Sequence, residues 1–397
     1  MTPSASTLAF VESPVQLLNV LEWAYARGAD PADRGPLLGG VPRQPDRTAP
    51  RPAAAADDPS TAADPPARAA GTAHPVRIVV LPPTDPMSRG QLRRMAGIAR
   101  GEGHAVHWQE ARGGFGAPLG ALAALGGEVR RARRIVIGDP FSRFTQLLLV
   151  PAARAAELVV VDDGTATMEF MAQLGRGERL RRWHRSGGGM SSRVREFAYA
   201  PVSGRARRRL TPGGRRRVEV FTSMPVTPLP GMELRSNDFA WTRARFGPPR
   251  LTKGTDLVGT SLVETGVVDP DRYLAAVRAL TLEHGATRYF AHRRESPQKL
   301  RTLSEATGLE IVRPDLPLEL IARRGPVGRT IVSFPSTVVH TLPYALSGTG
   351  VTVAVCDIDP DWLTGAATAR ARSFLAGVTD TARDVRRLPA QAAPAAG

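Results

Sequence analysis

The chain has 397 residues, 42% of them hydrophobic, and a formal net charge of +16. This length allows two domains that each bury a core, and no apolar run reaches the roughly 18 to 20 residues of a membrane span. The N-terminus has no basic segment ahead of an apolar one, which argues against a secretory signal. The single cysteine, Cys356, excludes an internal disulfide and a cysteine-rich metal site, so we expect a cytoplasmic protein.

In the first half of the chain, predicted strands alternate with predicted helices. Apolar runs predict strands at 7–12, 76–81, 105–109, 134–138, 158–161 and 218–222, and apolar periodicity predicts helices from Pro14 and over 88–100, 118–131 and 141–154. Residues 28–75 are rich in Pro, Ala, Asp and Arg, which predicts a disordered insertion. The basic, glycine-rich residues 175–217 predict a mobile loop or lid.

The second half repeats this alternation after a proline-rich stretch at 223–250, which predicts a crossing between domains. Strands are predicted from Asp256 and at 287–292, 330–334 and 351–357, and helices from Asp269-Pro270, over 297–307, over 336–346 and near the C-terminus, with a short element at 318–321. Alternating strands and helices imply parallel sheets covered on both faces. We therefore predict an α/β fold of GT-B-like type, with two Rossmann-type doubly wound domains, 1–222 and 251–397, facing a cleft.

The most informative stretch is LVVVDDGTATMEF at 158–170. A β-branched run predicts a buried parallel strand that ends at Asp162-Asp163-Gly164, and Thr165 can cap the helix that follows. Both carboxylates then lie in a strand-to-helix turn, where open α/β sheets bind ligands. An aspartate cap followed by a turn glycine explains this stretch alone equally well.

Two further polar turns follow predicted strands in the second half. One contains His292, Arg293 and Arg294, and the other runs from Ser333 to Thr337. Ser336 and Thr337 begin a predicted helix, whose N–H groups and dipole favour an anion such as phosphate. Each turn alone has a structural explanation, but three such turns at strand ends favour a group-transfer site in which a base faces a phosphate.

The three turns, in this order, resemble the motifs of bacterial sialyltransferases and polysialyltransferases: the D/E-D/E-G motif, the HP motif and the Ser-rich or Ser-Thr motif. Similar stretches are VESPVQLLN at 11–19, IGDPFSRFTQ at 137–146, VGTSLVETGVVDPDRYL at 258–274 and DLPLEL at 315–320. The resemblance covers nearly the whole chain outside the insertion and the basic loop. It implies an inverting, metal-independent GT-B enzyme with CMP-sialic acid as donor and a glycan as acceptor, bound by the C-terminal and N-terminal domains respectively.

The resemblance also implies roles for individual residues. Asp162 or Asp163 would be the general base, and Asp162 is favoured although no sequence feature decides between them. His292 would contact the phosphate or assist its departure. Substrate-binding roles fall to the following residues: Gly164, Glu264, Arg293, Ser333, Ser336 and Thr337. His292 is followed by Arg293 where the family has proline, which leaves the donor and the transferred nonulosonic acid open.

The histidines show no metal-ligand spacing, and no cofactor is expected. Arginine clusters at 130–134, 176–185 and 205–217 would attract polyanions, either an acidic glycan acceptor or anionic lipid at the inner face of the membrane, and nucleic acid is the least favoured partner. Two alternatives stay open. One is a GT-B transferase with another nucleotide-activated donor, and the other is a non-catalytic polyanion-binding protein.

Overall fold

The computed structural model describes residues 7–29, 75–112, 117–181, 190–214 and 216–390. Almost all of the predicted insertion at 28–75 lies outside these ranges, as do residues 182–185 of the second arginine cluster. Within the described ranges, no helix is both long and apolar enough to cross a bilayer.

The first domain is built on a seven-stranded parallel sheet with the order β3-β2-β1-β4-β5-β6-β7. Its strands are β1 Thr7–Val11, β2 Arg77–Val80, β3 Ala105–Trp108, β4 Arg134–Ile137, β5 Glu157–Val161, β6 Arg217–Thr222 and β7 Met232–Ser236. Its helices are α1 Pro14–Ala29, α2 Pro86–Gly101, α3 Ala117–Arg131, α4 Arg143–Leu149, α5 Thr165–Gly175 and α6 Met190–Leu210, followed by α7 Ala240–Arg245. Apolar clusters cover both faces of the sheet, as expected for a doubly wound domain.

The second domain is built on a six-stranded parallel sheet with the order β10-β9-β8-β11-β12-β13. Its strands are β8 Leu251–Val258, β9 Ala286–Phe290, β10 Glu310–Val312, β11 Val327–Ser333, β12 Thr352–Cys356 and β13 Arg386–Leu388. Its helices are α8 Pro270–His284, α9 Pro297–Thr307, α10 Leu318–Arg324, α11 Val338–Ala345 and α12 Ala369–Thr381. Both sheets turn their carboxyl ends toward the same cleft, so the predicted GT-B-like α/β architecture is confirmed.

Local sequence explains why several elements form where they were predicted. The β5 run is buried on both faces, with Val159 and Val161 fully inaccessible. Asp269 caps α8 by accepting the N–H groups of Asp271 and Arg272, and Pro270 occupies the first turn. Cys356 is buried in β12 as expected.

The structure corrects several predicted segments. The basic segment 175–217 contains helix α6, whose Ala206 and Leu210 are buried against the first domain, so it is not simply a loop. The predicted crossing at 223–250 contains α7 and β7, and β7 extends the first sheet beyond β6. The short edge strands β10 and β13 were not predicted. The helix expected over 141–154 stops at Leu149 before Pro151, because proline cannot continue the hydrogen-bond pattern.

A buried ion pair between Asp256 of β8 and Arg288 of β9 is expected to stabilise the second sheet, and substitution of Arg288 tests this. Asp256 is inaccessible to solvent; its carboxylate accepts two hydrogen bonds from Arg288, at 2.9 and 2.8 Å, and one from the Gly328 N–H at 2.7 Å. Arg288→Met is expected to lower the free energy of unfolding by about 3 to 5 kcal/mol, because it leaves a buried carboxylate without its cation. Chemical denaturation measures this.

The matched control is Arg176→Met, whose ion pair with Glu178 is about half exposed on both sides. Such a pair contributes at most about 1 kcal/mol. If Arg288→Met lowered the free energy of unfolding no more than Arg176→Met does, the stabilising role of the buried pair would be contradicted.

Candidate active site

The carboxyl ends of the two sheets enclose a cavity of about 980 Å³. Its walls come from the turns after β1, β4 and β5 in the first domain and after β8, β9 and β11 in the second. Six of the predicted site residues line it: Asp163, Gly164, His292, Arg293, Ser336 and Thr337. Asp162, Ser333 and Glu264 are not part of its lining.

Asp162, the favoured base of the sequence analysis, is buried behind the cleft. Its Oδ2 accepts the backbone N–H of Ser223 at 3.1 Å and the Ser223 hydroxyl at 3.0 Å, and its Oδ1 accepts the Thr167 hydroxyl at 2.7 Å. Burial raises the pKa of this carboxyl, against the opposing effect of these hydrogen bonds. Asp162 therefore holds the turn together, and Asp163 is the carboxylate that the turn presents to the cleft.

Hydrogen bonds from α1 and α5 fix the conformation of this turn. Asn19 Nδ2 donates to the Asp162 carbonyl, and Gln16 Nε2 donates to Asp163 Oδ1, both at 2.9 Å. The Asp163 N–H donates to Thr167 Oγ1 at 3.1 Å. The VESPVQLLN stretch thus serves to hold the Asp-Asp-Gly turn.

Gly164 brings the two domains into contact. Its φ of +67° favours glycine, and a Cβ at this position would collide with the side chain of Thr337. The next N–H, that of Thr165, donates to Thr337 Oγ1 at 3.3 Å. Gly164 itself occupies the cap position of α5, so Thr165 is the first helical residue and not the cap that its sequence suggested.

A buried acid also supports the His292 turn. Glu295 accepts the His292 N–H and the Tyr289 hydroxyl, both at 2.6 Å, and pairs with Lys299 at 2.7 Å. Lys299 also donates to the Thr260 carbonyl at 3.2 Å, which links this turn to the one after β8. Gly259 is required there because any Cβ would collide with Glu295.

This arrangement determines the state of the His292 ring. Its Nδ1 accepts the Arg294 N–H at 3.2 Å, so the neutral ring carries its proton on Nε2. Burial, together with the nearby positive charges of Arg293, Arg294 and Lys299, lowers the pKa of His292 to about 4. At neutral pH the ring is an uncharged hydrogen-bond donor.

The Ser-Thr turn lies directly before α11, which begins at Val338 and not at Ser336 as predicted. Ser336 and Thr337 line the cavity, whereas Ser333 is buried and donates to the Phe334 carbonyl at 2.9 Å. Ser333 Oγ lies 3.2 Å from Ser336 Oγ, so it supports the turn from behind.

Glu264 was predicted to bind substrate but supports the His292 turn. It accepts the Ser296 N–H at 3.3 Å and contacts Lys299 Nζ at 3.5 Å. Thr260 and Ser261 of the same segment line the cavity. A polar turn directly after a buried strand was the signal for these two residues.

Glu319 is a further cavity residue that was not singled out, although it lies in the DLPLEL stretch. It is almost fully buried and accepts the Thr341 hydroxyl at 2.6 Å. Burial raises the pKa of this carboxyl.

Described arginines of the first and third clusters lie at the end of the first sheet opposite the cleft. Arg131 ends α3 just before β4 begins, and Arg217 begins β6, so both mark the amino ends of strands whose carboxyl ends form the cleft. Contact of these clusters with an acidic glycan or with lipid stays a prediction. Among the described residues, no three His, Cys, Asp or Glu side chains come close enough together to hold a metal ion.

No protein-family model matches the chain, and no curated protein matches its sequence. Solved structures similar to it include the α/β-galactoside α-2,3-sialyltransferase of the luminous marine bacterium Photobacterium phosphoreum, at 7% identity and a TM-score of 0.45 over 97% of this chain and 99% of that one. A putative UDP-N-acetylglucosamine 2-epimerase from Listeria monocytogenes is 9% identical, with a TM-score of 0.42 over 89% and 79%. MurG of Acinetobacter baumannii is 8% identical, with a TM-score of 0.35 over 97% and 86%.

The geometry of His292 predicts a distinctive titration. We expect the ring to stay uncharged, with its proton on Nε2, at every pH well above its pKa of about 4. Between the ordinary value of 6.5 and about 4 the unfolded chain binds a proton that the folded chain does not, so the free energy of unfolding falls as the pH falls through this window. NMR of ¹⁵N-labelled histidine measures the tautomer and the charge.

His292→Gln assigns the resonances and is expected to reduce this pH dependence of stability. It will not abolish it, because burial also lowers the pKa of His340 to about 4, with the same sign. Nitrogen shifts of a charged ring at pH 6 would contradict the assignment.

Proposed function

We propose that this protein is an inverting glycosyltransferase that transfers sialic acid or a related nonulosonic acid from a CMP-activated donor to a glycan hydroxyl. The observation that carries the proposal is that Asp163 of one domain shares a cavity with His292, Ser336 and Thr337 of the other, which we propose bind the phosphate. A base facing an anion site across a cleft is what direct displacement at a sugar carbon requires.

In the proposed reaction, Asp163 takes the proton of the acceptor hydroxyl. At the same time the oxygen of that hydroxyl attacks the anomeric carbon of the donor. The bond between that carbon and the phosphate oxygen breaks, and the nucleoside monophosphate leaves with the bonding electrons. A single displacement inverts the configuration at the anomeric carbon.

The second domain offers several groups that would stabilise the departing phosphate. His292 presents a neutral Nε2–H, Ser336 and Thr337 present hydroxyls before α11, and Arg293 and Arg294 add positive charge. These donors and charges act where negative charge develops, so the proposed mechanism calls for no metal.

Nucleotide binding tests the second domain without requiring knowledge of the acceptor. Calorimetric titration with CMP, CDP, UMP and GMP is expected to show selective binding of CMP. His292→Ala and Ser336→Ala are each expected to weaken it about 10-fold, the cost of one lost hydrogen bond to a charged group.

The matched controls are His107→Ala and Ser304→Ala, which remove the same side chains away from the cavity and are expected to leave affinity unchanged. Absence of selectivity, or CMP binding that neither cleft substitution weakens, would contradict the proposed site. Steep salt dependence of polyanion binding, unaffected by either substitution, would instead favour a non-catalytic polyanion-binding protein.

The two aspartates of the turn provide the test of the base. Asp163→Asn is expected to retain CMP affinity and the free energy of unfolding while lowering kcat for sugar transfer about 10²- to 10⁴-fold. Asp162→Asn is expected mainly to lower stability, because its amide cannot accept all the hydrogen bonds of Ser223 and Thr167. The assignment of Asp163 as the base would be overturned if both variants were stable and only Asp162→Asn abolished transfer.

A further inference from the structure

Gln16, in the first turn of α1, is a buried polar residue that lies against Asp163. Its side-chain oxygen accepts the Glu12 N–H at 2.8 Å, and its Nε2 donates to Asp163 Oδ1 at 2.9 Å. Only 2% of the residue is exposed. Since the amide oxygen already accepts a backbone N–H, the amide has one orientation, with its N–H group toward the carboxylate.

The turn after β4 leaves space for this side chain. Gly138 follows β4, and a Cβ at this position would collide with Cγ, Cδ and Oε1 of Gln16. β1 and β4 are neighbouring strands, so the ends of both strands enclose the amide. The hydrogen bond from the Glu12 N–H and the space left at Gly138 thus position the Gln16 side chain independently of Asp163.

We propose that Gln16 is a positioning residue that holds the Asp163 carboxylate ionised and directed into the cleft. This inference rests on the proposed function, in which Asp163 removes the acceptor proton. A neutral N–H donor stabilises the charged form of a carboxylate without competing for the proton. The hydrogen bond also fixes the plane of the carboxylate relative to the acceptor hydroxyl, which proton transfer in the transition state requires.

The test compares two variants that disturb this hydrogen bond by different routes. Gln16→Leu keeps the volume and removes the N–H donor, whereas Gly138→Ala leaves the glutamine intact and displaces it. Both are expected to move the acidic limb of the kcat/KM profile to higher pH, so that kcat/KM measured on that limb falls about 10-fold while CMP affinity is retained.

Gln146→Leu is the matched control. Gln146 is equally buried in the first domain, but its amide donates to two backbone carbonyls, those of Pro140 and Leu180, where the amide of Gln16 donates to the Asp163 carboxylate. Its replacement is expected to lower stability without moving the acidic limb. A shift as large in Gln146→Leu as in Gln16→Leu would mean a general structural effect and would overturn the inference.

A second measurement does not depend on finding the substrates. Carbon NMR of protein labelled with ¹³C at the aspartate carboxyl, assigned with Asp163→Asn, follows the titration of Asp163 directly. Gln16→Leu is expected to raise its midpoint. An unchanged midpoint overturns the inference even where sugar transfer is observed. Gln16→Leu could raise the Asp163 midpoint in a protein that binds no nucleotide and transfers no sugar. That result would support the effect of the Gln16 hydrogen bond on Asp163 but would overturn the proposed function.

Discussion

The cleft depends on the burial of the Asp162 carboxylate among hydrogen-bond donors. Three donors, two from Ser223 directly after β6 and one from Thr167 of α5, compensate the cost of removing this carboxylate from water, and Asn19 donates to its backbone carbonyl. Asn237, beyond β7, in turn donates to Asn19 at 2.9 Å. With Asp162 held in this way, the strand-to-helix turn has one conformation, and the following residue, Asp163, lies at the cavity wall.

The second domain likewise positions a cavity turn with a buried carboxylate that accepts several hydrogen bonds. Glu295 is buried beneath the His292 turn and accepts hydrogen bonds from the backbone of that turn, from Tyr289 and from Lys299. Burial raises the pKa of Glu295, as it does for Asp162. In each domain an acid that does not reach the cavity positions a neighbour that does. Removing either acid would leave several buried donors without an acceptor, which costs more than an exposed hydrogen bond.

The sequence was sufficient for the fold class, because buried parallel strands and periodic helices leave clear patterns. It also identified the three turns, since a polar group directly after a buried strand must lie at the carboxyl edge of its sheet. It could not decide between Asp162 and Asp163, because two of the three donors to the Asp162 carboxylate belong to Ser223, which is 61 positions away in the sequence. For a similar reason, the sequence could not show that Glu264 lies outside the cavity lining. Its partners are Ser296, which caps α9, and Lys299 in the first turn of α9, which are 32 and 35 positions away in the sequence.

The width of the cleft is set by contacts that no single domain contains. Phe239 and Trp241, around the start of α7, share one apolar cluster with Leu320 of α10 and Ala345 of α11. Arg323, mostly buried, joins the same elements by donating to the carbonyls of Phe246 and Ala345.

These contacts lie behind the cavity, whereas the contact between Gly164 and Thr337 lies at its wall. A separation at the apolar cluster would therefore change the distance between Asp163 and the Ser-Thr turn directly. Because the proposed base and the proposed phosphate site belong to different domains, the packing of α7 on α10 and α11 is part of the geometry of catalysis. If the proposed function holds, substitutions in this interface would alter transfer without touching either substrate.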